Sequence, residues 1–541
     1  MSIPLWVSRS EVFDEFSAEE QEKYFSLKQK KFIADIDNYY YSVSLCEDFD
    51  EMKSGLIDKL IADLSALKEK FDYKSQDKLD FMGLDYYPFG LKFYNNRLSM
   101  NECFDILICN TLPNKATPRI LIQLRARYLW MEGTKKCIKK SYKYLCKILK
   151  KYKLTVNRVQ VNRVDYAFHN NAVQNPADYF DREKLNQYCC TRSRIYNMVG
   201  DPLQNWSIDY LSIGSRNSKS VFFRFYNKTR EVVEQNYKSF FIDLWFKNGL
   251  ISEFDKFCLE RAFELGSYDV GLCIARIEWY LKYGKNDEVK ELLSDKKQSC
   301  YADNDNSSEI RKTLNGLLPE VTVISNIEYE THTDFYRSFH KSISDLNAST
   351  DTSDKLFYVL QIYDCRKSYI DYLTKYGNVV SFMKDVKSIP EALKDGRNKF
   401  TSYKNGCRIF DKQGYNAWKQ KYIERNYLDF WKRLRRCKLG TSYKPELSRS
   451  YSRNIDIERT KNKFMSTAAV LSIYKNGVNN FDATTDMSQV FSLFNDNDMH
   501  NTLFIDEQSG EITEIKCADY DTIKGRKNRH LKSIISPSGK R

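Results

Sequence analysis

The segment FFRFYNK, which begins at Phe222, alternates aromatic and polar side chains with a period of two. This period is typical of a β-strand with one buried face, so the phenylalanines at 223 and 225 are expected on one side. Arg224, Tyr226 and Lys228 then share the other side, and the phenol lies between two cations. Because cations favour a phenolate and bind phosphate oxygens, this row is a candidate site for phosphate chemistry. The alternative is an ordinary strand tyrosine, in a chain with 38 tyrosines.

Two more segments are candidates for strands with charged side chains on one face. In VNRVQVNRVDYAFHNN, alternating valines predict a strand on which Asp165 and His169 share a side. A carboxylate and an imidazole placed in this way can hold a divalent cation or a water. In CIARIEWYLKYG, Glu278 would share a strand face with Arg276, and an ordinary surface ion pair is the alternative. The three strands together predict a sheet that gathers Asp165, His169 and Glu278 around one cation.

Composition indicates the class of protein and of partner. A length of 541 residues suggests two or three domains, and the apolar share of 42% is typical of a folded chain. The formal net charge of +14 favours a polyanionic partner, of which nucleic acid fits best. A membrane is not expected, because no apolar run approaches the roughly 20 residues that span a bilayer. The first residues do not resemble a signal peptide, so a cytoplasmic protein is expected.

Cysteine usage argues against a zinc centre. The fourteen cysteines include no CxxC pair and are accompanied by only five histidines. Reduced, structural thiols are the expected state.

Two lysine- and arginine-rich helices are candidate phosphate contacts. The segment 135–153 carries nine lysines around an apolar stripe, and 416–440 combines aromatic residues at helical spacing with a second basic face. Such runs are often simply solvated faces, but like charges repel one another unless something negative lies against them. The residues assigned to DNA are Lys139, Lys140, Lys143, Lys432, Arg433, Arg435 and Arg436.

Three motifs in order resemble the replication initiation factor family, which includes initiators of rolling-circle plasmids and phages and relaxases of integrative conjugative elements. The motifs are RVDYAFH, then IGSRNSKSVFFRFYNKTRE, then ARIEWYLK. They are similar to the family's R-[IL]-D-[LY]-A-x-D strand, its glycine turn leading into R-[IF]-Y-[ND]-K, and its R-[IV]-E strand. The resemblance covers roughly residues 82–285.

The resemblance implies a role for residues of the tyrosine segment. The family's nucleophilic tyrosine corresponds to Tyr226 and its flanking arginine to Arg224. Lys228 is the second cation expected to favour the phenolate. Arg216, in the turn before the strand, is expected to bind DNA.

The resemblance also implies a divalent metal, Mg²⁺ or Mn²⁺. Its acidic ligands correspond to Asp165 and Glu278. His169 stands where the family usually has a second carboxylate, and an imidazole ligand favours manganese over magnesium.

The implied activity is attack by the phenol on a phosphodiester of single-stranded or extruded origin DNA, next to flanking duplex. The products are a 5′-phosphotyrosyl link and a free 3′-hydroxyl, so a host helicase and polymerase are expected partners, and a homodimer is compatible. A conjugative relaxase would use the same chemistry. A different class of function is the alternative: a replication regulator that binds DNA without catalysis. His169, in place of a carboxylate, would be a sign that catalysis has been lost.

The expected fold class is α+β, with an antiparallel catalytic sheet packed with helices and then a mainly helical domain. The predicted divisions are a helical region (1–81), the initiator-like or relaxase-like domain (82–290), a polar linker (291–350), a basic helical DNA-binding domain (351–510) and a flexible basic tail (511–541).

Overall fold

The computed structural model describes most of the first 440 residues and two short segments beyond them. The described residues are 16–24, 30–49, 54–71, 79–88, 93–100, 103–110, 118–174, 179, 182–193, 196–201, 207–215, 220–235, 238–302, 307–339, 356–405, 407–440, 503–505 and 512–514. Within these ranges, no helix is both long enough and apolar enough to cross a bilayer.

A large antiparallel sheet organises the described residues. The strands are β1 Phe32–Leu45, β2 Leu79–Phe81, β3 Leu84–Tyr87, β4 Asn96–Met100, β5 Phe104–Ile108, β6 Ile120–Leu124, β7 Val156–Asn170, β8 Cys189–Thr191, β9 Tyr196–Asp201, β10 Ser207–Ile213, β11 Val221–Asn227, β12 Ser325–His332, β13 Val380–Phe382, β14 Thr401–Lys404, β15 Cys407–Phe410, β16 Leu503–Ile505 and β17 Ile512–Glu514. Eleven of them form one sheet in the order β2-β3-β4-β5-β6-β1-β7-β12-β11-β10-β9, in which each neighbouring pair is antiparallel. The strands outside it form the pairs β8-β13, β14-β15 and β16-β17.

Helices cover the sheet and follow it. They are α1 Ala18–Tyr24, α2 Ser54–Lys70, α3 Ala126–Glu132, α4 Thr134–Lys151, α5 Arg182–Tyr188, α6 Phe240–Lys247, α7 Glu253–Leu265, α8 Asp269–Tyr283, α9 Asp287–Ala302, α10 Ser307–Leu317, α11 Thr333–Phe339, α12 Phe357–Asp364, α13 Arg366–Leu373, α14 Ile389–Lys399, α15 Lys412–Asn426 and α16 Asp429–Arg436. The predicted α+β class is confirmed, and the described part of 356–440 is mainly helical.

The central strands bury both of their faces. On β7, Val164, Tyr166 and Phe168 belong to the larger apolar core, which also receives the buried side of β11 and β12. A second apolar core lies between the opposite face of the sheet and helices α6, α7 and α8, and it includes Ala167. Part of that second face is polar, and it carries the candidate site.

The structure differs from the predicted order of elements at three places. β1 lies within the region predicted to be helical, and β12 lies within the predicted linker, yet both are inner strands of the sheet. The strands with which they pair are distant in sequence, so local patterns do not reveal their place in the sheet. The predicted strand at 273–284 is instead helix α8, in which Cys273, Ile277 and Tyr280 are buried at helical spacing. The predicted division 351–510 is described only in part, and of the predicted tail 511–541 only 512–514 is described.

Gly271 permits close packing of α8 against α7. A Cβ atom at this position would lie 2.8 Å from Ala262 Cα and 3.0 Å from Ala262 Cβ. Overpacking of this kind costs about 1–3 kcal/mol, which outweighs the ~1 kcal/mol helix-propensity gain of alanine over glycine. Gly271→Ala should therefore lower the melting temperature in a thermal unfolding experiment followed by circular dichroism.

Gly316, in helix α10, provides the matched control, because a Cβ there would meet nothing within 4 Å. Gly316→Ala should leave the melting temperature unchanged or raise it. Equal melting temperatures for the two variants would contradict the tight contact between α7 and α8.

Candidate functional site

Three adjacent strands place polar side chains on one face of the sheet. Across β11 and β12, Arg224 lies opposite Glu328, and Tyr226 lies opposite Asn326. Across β12 and β7, His169 lies opposite Asn326. Because directly opposed residues project from the same face, the period of two in FFRFYNK and the strand register together bring these side chains into one buried cluster.

The phenol of Tyr226 has three polar neighbours. Its hydroxyl donates to Glu328 Oε2 at 3.0 Å and accepts from Asn326 Nδ2 at 2.9 Å. Lys228, in the helical turn after β11, places its Nζ 3.4 Å from the same oxygen. The side chain is nearly buried, with 7% of its surface exposed. Tyr226 is therefore oriented from both sides of its hydroxyl group, with a carboxylate in position to accept its proton.

The protonation of Tyr226 differs from the sequence prediction. Burial raises the pKa of Tyr226 well above its usual value, and Glu231 and Glu328 raise it further, whereas Arg224 lowers it by less. The two flanking cations therefore do not create a phenolate in this environment. Their positive charge is already engaged by carboxylates, since Arg224 pairs with Glu328 and Lys228 pairs with Glu231 at 2.5 Å.

Glu328 joins the tyrosine to the arginine. One of its oxygens binds Arg224, and the other receives the phenol hydrogen bond. Burial raises the pKa of the Glu328 carboxyl, an effect that Arg224 opposes and Asp165 reinforces. A carboxylate with a raised pKa is a stronger base than an ordinary glutamate, which is the property required of a group that removes a proton from tyrosine.

Asp165 belongs to a neighbouring buried ion network. Its carboxylate binds the guanidinium of Arg163, with 2.5 Å between Arg163 Nε and Asp165 Oδ1, and accepts from Asn38 Nδ2 at 2.7 Å. Arg163 also pairs with Glu330 at 2.8 Å, and Glu330 approaches Arg224 at 3.9 Å. This chain of ion pairs connects Asp165 to Arg224. All of its side chains are buried except that of Arg224, which is 17% exposed.

His169 lies in an aromatic enclosure. Its Nδ1 accepts from the Trp245 indole at 3.1 Å, and its ring stacks on Trp130 with centroids 4.9 Å apart. Burial lowers the pKa of His169 well below its usual value, and Lys228 lowers it further. In the neutral tautomer that accepts at Nδ1, the proton is on Nε2, so neither nitrogen has a lone pair free for a metal.

Glu278 is separated from this cluster by its place in the fold. It projects from helix α8 and forms ion pairs with Arg261 at 3.0 Å and Lys297 at 2.9 Å. The three predicted metal ligands therefore do not form a donor set, since Asp165 is bound by Arg163 and His169 by Trp245. In the ranges that the structure describes, no group of three or more metal-binding side chains occurs elsewhere either.

Sequence reasoning missed the residues of β12. Glu328, Glu330 and Asn326 come from the segment SNIEYETH, whose alternating I-E-Y-E pattern is a strand signal. This segment supplies the acidic partner of the tyrosine, whereas the glutamate of ARIEWYLK, Glu278, was predicted near it as a metal ligand. Both segments contain an I-E step, but 273–284 is helical, and the pairing of β12 with β11 sets Glu328 beside the tyrosine strand.

The lysines and arginines that were predicted to bind DNA, apart from Arg216, occupy two separate helices. On α4 the apolar stripe is buried as predicted, and Lys139 and Lys143 are exposed, while Lys140 donates to the Tyr128 hydroxyl at 2.7 Å. Arg216 lies outside the described residues.

On α16, Arg433 and Arg436 are the exposed members of the predicted basic group. Lys432 pairs with Asp429 at 3.0 Å, and Arg435 pairs with Glu424. Arg436 lies 4.0 Å from Glu424 as well, so three of the four predicted contacts on this helix have a carboxylate partner within the chain.

Comparison with known proteins adds weak structural similarity. No protein-family model matches the chain, and no curated protein matches it. Among solved structures, a rolling circle replication initiator protein from Geobacillus stearothermophilus is similar at a TM-score of 0.27 and 9% sequence identity, over 76% of this chain and 100% of that one. A TM-score this low does not establish a shared fold, so the functional argument depends on the geometry of the site.

Proposed function

We propose that this chain nicks DNA by attack of Tyr226 on a phosphodiester and thereby initiates rolling-circle replication. The observation that carries the proposal is the contact between Tyr226 and Glu328. A tyrosine hydroxyl 3.0 Å from a buried carboxylate, which is itself held by Arg224, has the arrangement of a nucleophile, a base and a group that orients the base.

In the proposed step, Tyr226 Oη bonds to phosphorus while its proton passes to Glu328. The bond from phosphorus to the 3′-oxygen breaks, and the leaving oxygen takes a proton from water. The products are a 5′-phosphotyrosyl link and a free 3′-hydroxyl that a polymerase can extend. The donor set predicted for Mg²⁺ or Mn²⁺ does not fit a metal, so the step is assigned to side chains alone.

The proposed substrate is single-stranded or extruded origin DNA. A duplex would hold its phosphates away from a nucleophile that projects from a sheet, so the strands must first separate. A host helicase and polymerase are the proposed partners, since they would use the exposed strand and the free 3′-hydroxyl. A conjugative relaxase would use the same step in DNA transfer.

A second candidate is a replication regulator that binds DNA without cutting it. The observation in its favour is the burial of Tyr226, whose hydroxyl already has a donor and an acceptor within the protein. In that case the cluster is a buried structural network, which specifies strand register rather than reactivity.

Tyr226→Phe distinguishes the two candidates. The substitution removes only the oxygen, so an oligonucleotide that carries the origin should still bind, whereas nicking and the covalent protein–DNA adduct should disappear. The adduct is measured as a shifted band on a denaturing gel with labelled DNA.

The matched control is Tyr210→Phe. The ring of Tyr210 lies 6.2 Å from that of Tyr226, and Tyr210 lies opposite it on β10. This variant should still form the adduct. If Tyr226→Phe still forms the adduct, the nucleophile is a different residue. If the unaltered protein forms no adduct, the regulator is favoured.

Glu328→Gln tests the base. General-base catalysis is worth roughly 10²- to 10⁴-fold, so the rate of adduct formation should fall by about that factor at neutral pH. In the unaltered protein, Glu328 acts as the carboxylate, and its pKa is raised by burial. The rate should therefore drop as pH falls through a value above the ordinary glutamate range, and this acid limb should be lost in the variant.

Glu278→Gln is the control for the same chemical change. Its ion pairs with Arg261 and Lys297 are partly exposed and worth about 0–1 kcal/mol, so both the rate and its pH profile should be retained. Melting temperatures of both variants show whether they are folded. An unchanged pH profile in folded Glu328→Gln would rule out the proposed base.

A further inference from the structure

A basic pocket lies where the start of β1 meets the segment after α16. It is a shallow, open pocket on the surface, with a volume of about 450 Å³. Five cationic side chains line it, and none of the described residues around it is acidic. The five are Lys30, Lys31, Arg433, Arg436 and Lys438.

Backbone contacts hold the two segments together, although about 400 residues of chain separate them. Gly440 N donates to Ala34 O at 2.8 Å, and Leu439 forms a parallel bridge with Ala34. Arg433 Nη1 donates to the carbonyl of Lys30 at 3.1 Å. The segment after α16 therefore continues the sheet beside β1, at the end of β1 that β6 does not reach.

These contacts bring the cationic side chains of the described residues close together around the pocket. Lys31 Nζ is anchored on the carbonyl of Asn248 at 3.1 Å, next to the C-terminal end of α6. Arg436 has a carboxylate, that of Glu424, at a distance of 4.0 Å, and its side chain is 73% exposed. Like charges held close together repel one another, so an anion bound there would relieve the repulsion.

The pocket lies close to the candidate site. A row of paired residues across the sheet leads from the pocket to Tyr226. Ile33 lines the pocket and pairs with His169, and Asn326 pairs with both His169 and Tyr226. Three steps between strands at the usual spacing amount to about 14 Å. Helix α6 covers the row between them through Phe241 and Trp245, which pack on His169.

We infer that this pocket binds the phosphodiester backbone of a DNA strand. Arginine and lysine side chains grouped around a cleft bind phosphate oxygens without regard to base sequence. The choice of DNA as the source of the phosphates rests on the proposed function, whereas the affinity for phosphate rests on the pocket itself.

The test is the salt dependence of binding to a labelled single-stranded oligonucleotide, measured by fluorescence anisotropy. In the double variant Arg436→Gln with Lys438→Gln, binding should weaken. The negative slope of log K against log salt should become shallower by about 1.4, because each single-strand phosphate that is no longer neutralised removes about 0.7. Lys68→Gln with Lys70→Gln, at the exposed end of α2, removes the same charge and should change the slope by less than half as much.

Equal reductions of the slope in the two double variants would overturn the inference, because they would indicate a general effect of net charge. Unchanged DNA binding together with weakened binding to phosphatidylserine vesicles would also overturn it in favour of a lipid headgroup. The salt-dependence experiment and the nicking experiment can fail independently. If the unaltered protein forms no adduct, the proposed function is wrong, but the measured salt slopes still test whether the pocket binds phosphate.

Discussion

The arrangement of the site depends on the neutralisation of buried carboxylates across neighbouring strands. Asp165, Glu328 and Glu330 are each no more than 1% exposed, and each is paired with Arg163 or Arg224. An isolated charge in such a position is very costly, and removing one partner from a buried pair typically costs about 3–5 kcal/mol. A different register of β7, β12 and β11 would leave these carboxylates without their arginines, so the ion pairs favour the observed register.

The same burial gives the cluster its chemical character. Where water is excluded, a proton is more costly to remove from a phenol, which is why the pKa of Tyr226 rises. The exclusion of water also raises the pKa of Glu328, so the best acceptor for that proton is the carboxylate that already receives the hydrogen bond. Stability and the proposed reactivity thus have one origin, the low dielectric between the sheet and helices α6 to α8.

Long-range pairing also creates the basic pocket. β1 lies between β6 and β7, and its first residues contact the chain around Leu439. The segments that bring lysines and arginines together are separated by almost the whole sheet-forming part of the sequence. The grouping of cations at this junction is consequently a product of topology, although each of the lysines and arginines is an ordinary cation when considered alone.

The sequence by itself determined the α+β class, the strand that carries Tyr226, the strand that carries Asp165 and the buried stripe of α4. These follow from apolar residues that recur every two positions in a strand and every 3.6 positions in a helix, and these periods depend only on local backbone geometry. Tertiary structure decided which acidic residue meets the tyrosine. Glu278 and Glu328 both follow an isoleucine, but helix α8 directs the first toward Arg261, whereas antiparallel pairing sets the second beside Tyr226. Helical spacing around Glu278 and alternation around Glu328 are local signals for a helix and a strand, but the partner of each glutamate depends on strand pairing and charge neutralisation, which are non-local.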